Sequence, residues 1–210
     1  MYINLDVLSI TNGNVHVADT EFGRMKIDKI EAGQLKLVTG RIIATDPILL
    51  YDDECFSEQV KPGLYKVNIY VGKAGNRRKQ TVAAEIRFND NEAVKWDMAL
   101  LKGESAKGFS HDEFMGFEVE NGLACFMDEK VMEMLDVMSE EDLEAYEAKV
   151  KEAVRKSDDS WADIIMDDEN SLNMIVFASG WNEGTFPTYY GYDKNNKLSR
   201  LVTDFMVIEK

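Results

Sequence analysis

Cysteine, histidine and proline are all scarce in this chain, with two, two and three residues among 210. Cys55 and Cys125 are far apart and form no C-x-x-C pair, so neither a metal-type nor a redox-type pairing is read. Two free thiols in a reducing compartment are expected. Histidine chemistry has only His16 and His111 to draw on, and His111-Asp112-Glu113 sits in a polar loop where an exposed ring is the expectation. Long apolar runs are missing as well. No stretch approaches the roughly 20 residues of a membrane-spanning helix. The start, Met1-Tyr2-Ile3-Asn4-Leu5-Asp6, has no basic region followed by an apolar run, so no signal peptide is read there. A cytoplasmic protein without membrane contact is expected. Cations are outnumbered, 24 Lys and Arg against 39 Asp and Glu, for a net charge of −15. That balance speaks against nucleic acid, whose backbone needs clustered cations to displace counterions. It fits solubility or a surface that meets a basic partner. Nucleophile-elbow, P-loop, dinucleotide and zinc-protease motifs are absent, as are solenoid repeats and low-complexity tracts.

What is present suffices for a core: 45% of residues are hydrophobic and 10% aromatic. The last forty residues carry the clearest pattern. Met174-Ile175-Val176-Phe177 reads as a strand, followed by the glycine-bracketed loop Gly180-Trp181-Asn182-Glu183-Gly184. An aromatic strand through Tyr189, Tyr190 and Tyr192, a turn at Asp193, and a closing strand from Leu201 to Ile208 complete it. Upstream, Asn12-Gly13-Asn14 predicts a hairpin turn between Leu8-Ser9-Ile10 and Val15-His16-Val17. Two short strands break at Gly40 and end at Asp46-Pro47, because the residue before proline avoids helix and proline cannot donate to a ladder. Residues 64–71 and 81–88 predict one hairpin around a basic turn holding Arg77, Arg78 and Lys79. Residues 93–100 fit strand or helix, and Glu120-Asn121-Gly122 predicts another hairpin between Phe117-Glu118-Val119 and residues 123–127. Residues 128–156 then switch to helical spacing, with Asp128 as a cap and Ser139-Glu140-Glu141-Asp142 as a capping box that uses Asp for Glu. The order of elements is not a regular strand–helix alternation. It predicts an α+β fold, mainly antiparallel β, sandwich-like or strongly bent, with one helical pair inserted near residues 128–156. One domain over residues 1–210 is expected.

For chemistry, acidic residues near turns form the most interesting set: Asp46, Asp97, Asp128, Glu183, Asp193 and Asp204. Converging carboxylates hold metals or move protons. Asp is also the usual residue for capping helices and tying down loops, and that structural role is the expectation for Asp46, Asp97, Asp128 and Asp204. Asp193-Lys194-Asn195-Asn196-Lys197-Leu198 begins like a calcium loop but has Lys197 at a ligand position and Leu198 where the turn needs glycine, so a hairpin turn is expected. No metal and no cofactor is assigned.

The ordered pieces Gly40-Arg41-Ile42-Ile43-Ala44-Thr45-Asp46-Pro47, Pro62-Gly63-Leu64-Tyr65, Ala83-Ala84, Gly116-Phe117, Gly122 to Asp128, Ser179 to Gly184, Tyr190-Gly191-Tyr192-Asp193 and Asp204-Phe205 resemble the bacterial domain-of-unknown-function family 4241. The resemblance runs over about residues 35–206 and implies one domain without implying an activity. The family's loop reads Gly-Trp-Gly-Asp-Gly, whereas Asn182-Glu183 here keeps a carboxylate on a longer arm in a stiffer loop.

Two readings of function follow from the sequence. The first is an acidic binding protein that docks on a basic protein partner, as immunity proteins in bacterial toxin systems do. The second is an enzyme or a small-ligand or metal-binding domain with a cleft near the Gly180–Gly184 loop, lined by Trp181, Glu183, Tyr190, Asp193 and Asp46.

Overall fold

A computed structural model describes residues 1–13, 17–20, 23–49, 54–74, 79–157 and 160–208. Asn14, Val15, His16, Arg77, Arg78 and the start of the acidic stretch after Leu50 lie outside the described residues. In chain order the elements are α1 (Leu5–Ile10), β1 (Val17–Thr20), β2 (Gly23–Leu37), β3 (Ile42–Thr45), β4 (Gly63–Ala74), β5 (Gln80–Arg87), β6 (Lys95–Met98), β7 (Phe117–Val119) and β8 (Leu123–Asp128). They continue with α2 (Glu129–Leu135), α3 (Glu140–Lys156), β9 (Trp161–Asp167), β10 (Leu172–Ala178), β11 (Gly184–Phe186), β12 (Thr188–Tyr192) and β13 (Leu198–Asp204). The fold is α+β with a mainly antiparallel β framework.

Seven strands form one sheet in the order β1-β2-β4-β5-β13-β12-β6, and four form a second in the order β3-β8-β10-β9. Their facing sides share a core in which Ile69, Ala84 and Leu201 of the large sheet join Ala44, Phe126, Ile175 and Phe177 of the small one. The rings of Phe126, Phe177, Phe205 and Phe186 run edge-to-face through it at 5.0–6.0 Å. Alternate residues of the small sheet, Ile43, Cys125, Met127, Met174 and Val176, point the other way, onto Val131 and Leu135 of α2 and Tyr146, Val150 and Val154 of α3. With both faces covered, β3, β8 and β10 are buried along almost their whole length and mostly apolar, rather than alternating. The helical pair therefore packs on the outer face of the small sheet. Asp128 Oδ1 caps α2 by accepting from Lys130 N–H at 3.0 Å, and Ser139 Oγ caps α3 by accepting from Asp142 N–H at 3.2 Å.

The outer face of the large sheet carries α1 and the chain's first residues. Leu8-Ser9-Ile10, expected as one arm of a hairpin, is instead the end of the helix Leu5–Ile10. Asn4 Oδ1 accepts from Val7 N–H at 3.3 Å, and Val7, Leu8 and Ile10 bury one side. Gly13 with φ +79 ends that turn. Residues 117–127 also depart from the expected hairpin. β7 pairs with β11, while β8 pairs with β3 and β10, so consecutive strands enter different sheets.

Candidate functional site

Asp46 explains that change of sheet. It lies just after β3, fully buried. Its Oδ1 accepts from Ile48 N–H at 2.9 Å and Leu49 N–H at 3.4 Å, and its Oδ2 accepts from the N–H groups of Glu120 and Asn121, both at 3.0 Å. A single carboxylate thus fixes the turn between β7 and β8. Gly122, at φ +69, closes that turn, and its carbonyl accepts from Ser179 N–H at 2.9 Å.

The Gly180–Gly184 loop is built on this support. Gly180 is packed so closely that a Cβ there would meet Val207 at 2.4 Å and the Thr81 carbonyl at 2.7 Å. Gln80 Nε2 donates to Gly180 O at 2.9 Å, and Trp181 Nε1 donates to Phe205 O at 3.0 Å. Ser179 Oγ donates to Trp181 O. Across from the loop, Ser160 takes φ +58, a left-handed conformation uncommon for a residue with a side chain, and its carbonyl accepts from Ala178 N–H at 2.8 Å.

Between these rims runs an open groove of about 920 Å³. Its walls are the end of α3 (Lys151, Val154, Arg155), the 121–123 turn, residues 178–182 and the start of β5 with Lys79. None of the fifteen described residues lining it is Asp or Glu, in a chain with 39 of them, and three are cations. Lys151 pairs with Glu147 at 3.0 Å and Arg155 with Glu152 at 2.8 Å, both one turn back along the helix. These pairs are exposed and screened by solvent, so each contributes little and yields readily to a better partner. The Arg155 guanidinium and then Lys156 hold the Glu152 carboxyl down at about 2.

The five residues singled out from sequence divide between the groove and its foundations. Trp181 lines the groove, and Glu183 is exposed on the same loop. Asp46 stands behind the groove wall with its oxygens occupied. Tyr190 is buried, and its hydroxyl accepts from Glu58 N–H at 3.1 Å. Asp193 shapes the β12–β13 turn. Its Oδ1 accepts from Asn195 N–H at 2.8 Å and Lys197 N–H at 3.0 Å, and its Oδ2 accepts from Asn91 Nδ2 at 2.7 Å. The Lys197 N–H first, then Asn195 and Asn91, hold its carboxyl below the usual range. Asp97 pairs with Lys95 at 2.6 Å near the surface. His111 is exposed beside Asp112.

Sequence reading missed Lys151, Arg155, Asn121 and Ser160. The two cations had a legible signal: they stand four apart, beside the buried stripe of Tyr146, Val150 and Val154. Ser160 and Asn121 had none, because their position depends on the junction of two sheets. Among the described residues, no group of three or more His, Cys, Asp or Glu gathers as metal ligands would. Neither Cys55 nor Cys125 is in a disulfide, and burial, then the nearby Glu129 carboxylate, pushes the Cys55 thiol up to about 11. Among the described residues, no helix is long and apolar enough to cross a membrane.

No curated protein and no solved structure matches the chain. A family described as "Protein of unknown function (DUF4241)" matches residues 35–203, from the end of β2 nearly to the end of β13, which takes in the groove and the turn behind it. The chain belongs to this DUF4241 family.

Proposed function

We propose that the protein is a binding domain of the cytosol that takes an acidic, extended segment of a partner protein into the groove beside Trp181. The observation that carries this reading is the charge of the lining, three cations and no carboxylate among its described residues in a chain of net charge −15. A local reversal of sign against the overall field gives specificity more than raw affinity. The rims are held by backbone hydrogen bonds and by glycine close approaches, so little order has to be imposed on binding. Nucleic acid does not suit this site, because three cations under a large negative net charge release too few counterions.

A second reading, a basic protein partner met as an immunity protein meets its toxin, is favoured by a different surface. Glu133 of α2, its C-cap Asp136, and Glu140, Glu141, Asp142 and Glu144 of α3 are all exposed. Acid at the start of α3 and base at its end also suit the helix dipole, which accounts for part of this segregation without any partner.

Fluorescence anisotropy with acidic, neutral and basic peptides separates the two readings. Acidic peptides are expected to bind, more weakly as salt rises, and at least tenfold more weakly to Lys151→Glu/Arg155→Glu. Binding of basic peptides alone, unchanged in that variant, would move the function to the acidic helical face.

A further inference from the structure

A second, smaller cleft lies on the outer face of the large sheet, under the turn that ends α1. It measures about 140 Å³, and Thr11, Gly13, Lys29, Tyr70 and Arg87 are among its walls. Strand register explains the gathering of polar groups. Lys29 pairs with Tyr70 across β2 and β4, and Arg87 pairs with Lys66 on one side and Arg200 on the other, so these side chains share a face.

Behind the cleft is Glu85, with no exposed surface. Its Oε2 accepts from Asn68 Nδ2 at 2.7 Å and from the Tyr70 hydroxyl at 2.9 Å. Its Oε1 accepts from Arg87 Nε at 3.2 Å and lies 3.3 Å from Arg200 Nη1. Arg200 is itself buried and also donates to Thr11 O at 2.7 Å. One carboxylate thus serves two guanidinium groups, and the ammonium of Lys29 stands nearby. Among the described residues, no carboxylate lies within ion-pair distance of that ammonium, and Arg87 Nη1 makes no hydrogen bond. Glu31 acts on Lys29 from its own strand but pairs with Lys66 at 3.9 Å. Burial first, and then repulsion from Arg87, pushes the Lys29 ammonium below its ordinary pKa.

We infer that this cleft binds a small oxyanion, the size of a carboxylate or phosphate group, between Lys29 and Arg87. Arg87 is the fixed element: Glu85 and the Thr11 carbonyl, at 2.8 Å from Nη2, hold its plane and leave the Nη1 edge to the cleft. Lys29 supplies the second charge from a longer, adjustable arm. An anion there relieves the repulsion between the two cations. The volume suits a single anionic group and is too small for a drug-sized ligand, whose pockets run from about 300 Å³ upward. Thr11, Gly13 and Lys29 lie before residues 35–203 while Tyr70, Glu85 and Arg87 lie within them, so the site joins the matched part of the chain to the segment that precedes it.

The test is thermal unfolding in rising phosphate, and separately acetate, at constant ionic strength made up with chloride. The wild type is expected to show a saturable rise in Tm with at least one of the two, and the pattern distinguishes a phosphate from a carboxylate preference. Lys29→Met is expected to need at least tenfold more anion for half-saturation, keeping only the shallow linear rise that excluded salts give any protein. Lys29→Arg is expected to restore saturation. Identical linear responses of wild type and Lys29→Met to both anions would overturn the site. Should Lys29→Met fail to fold, the wild-type amide signals of Gly13, Lys29 and Arg87 decide: saturable shifts with either anion support the site, and none with both overturns it.

Discussion

Asp46 and Asp204 are both buried carboxylates with no exposed surface, yet their surroundings differ in one respect that governs stability. Asp46 meets N–H donors on both oxygens. Asp204 Oδ1 accepts from Met206 N–H at 2.7 Å, but Oδ2 has no partner among the described residues. The nearby ionisable groups, Tyr2 and Tyr189, bring no positive charge. Burial therefore pushes the Asp204 carboxyl from 3.8 up to about 7. From about pH 4 to 7 the unfolded chain has released this proton while the folded protein retains it, so stability falls as pH rises through that window and levels off above it. The difference amounts to on the order of 4 kcal/mol at full ionisation. Asp204→Asn keeps the shape and cannot ionise. Urea denaturation at pH 5 and pH 8 is expected to show the variant gaining on the wild type at the higher pH. Parallel behaviour at both values would contradict the assignment.

At the scale of elements, the 120–122 turn joins fold to site. Its backbone donors are held by Asp46, and its Gly122 carbonyl accepts from Ser179 N–H at the base of the Trp181 loop. Asp46→Ala leaves several buried N–H groups without acceptors, so a loss of about 3 kcal/mol is expected in denaturant melts, along with weaker binding of acidic peptides. An unchanged urea midpoint would show that the turn stands without the carboxylate. The same element marks the limit of what sequence reveals. The runs in β8 and β10 and the helical spacing of α2 and α3 were legible because burial on one or two faces imprints its period directly. Glu120-Asn121-Gly122 was legible as a turn but not as a change of sheet, because the deciding partner, Asp46, is remote in the chain. β2 was legible only at its end, from Leu35 to Leu37, and its longer first part was not, for a related reason. Its fifteen residues include a bulge between Glu31 and Gln34 and polar groups on the outer face that only the Glu85 cluster and α1 explain. The aromatic loop was found from its glycines, but which of its neighbours face the groove depended on the packing of two sheets.

On the scale of the whole molecule, a net charge of −15 hides a segregated surface. Carboxylates crowd α2 and the first half of α3, while the groove at the far end of α3 is cationic and polar. Total charge pointed toward a basic partner; the described lining of the groove beside Trp181 points the other way. NMR of isotope-labelled protein, titrated with a ten-residue glutamate peptide and then with a ten-residue lysine peptide, tests this most directly. The account predicts that the glutamate peptide shifts the amides of residues 121–123, 157, 160 and 179–182 and leaves α2 untouched. Silence there, with the lysine peptide shifting residues 133–144, would contradict it.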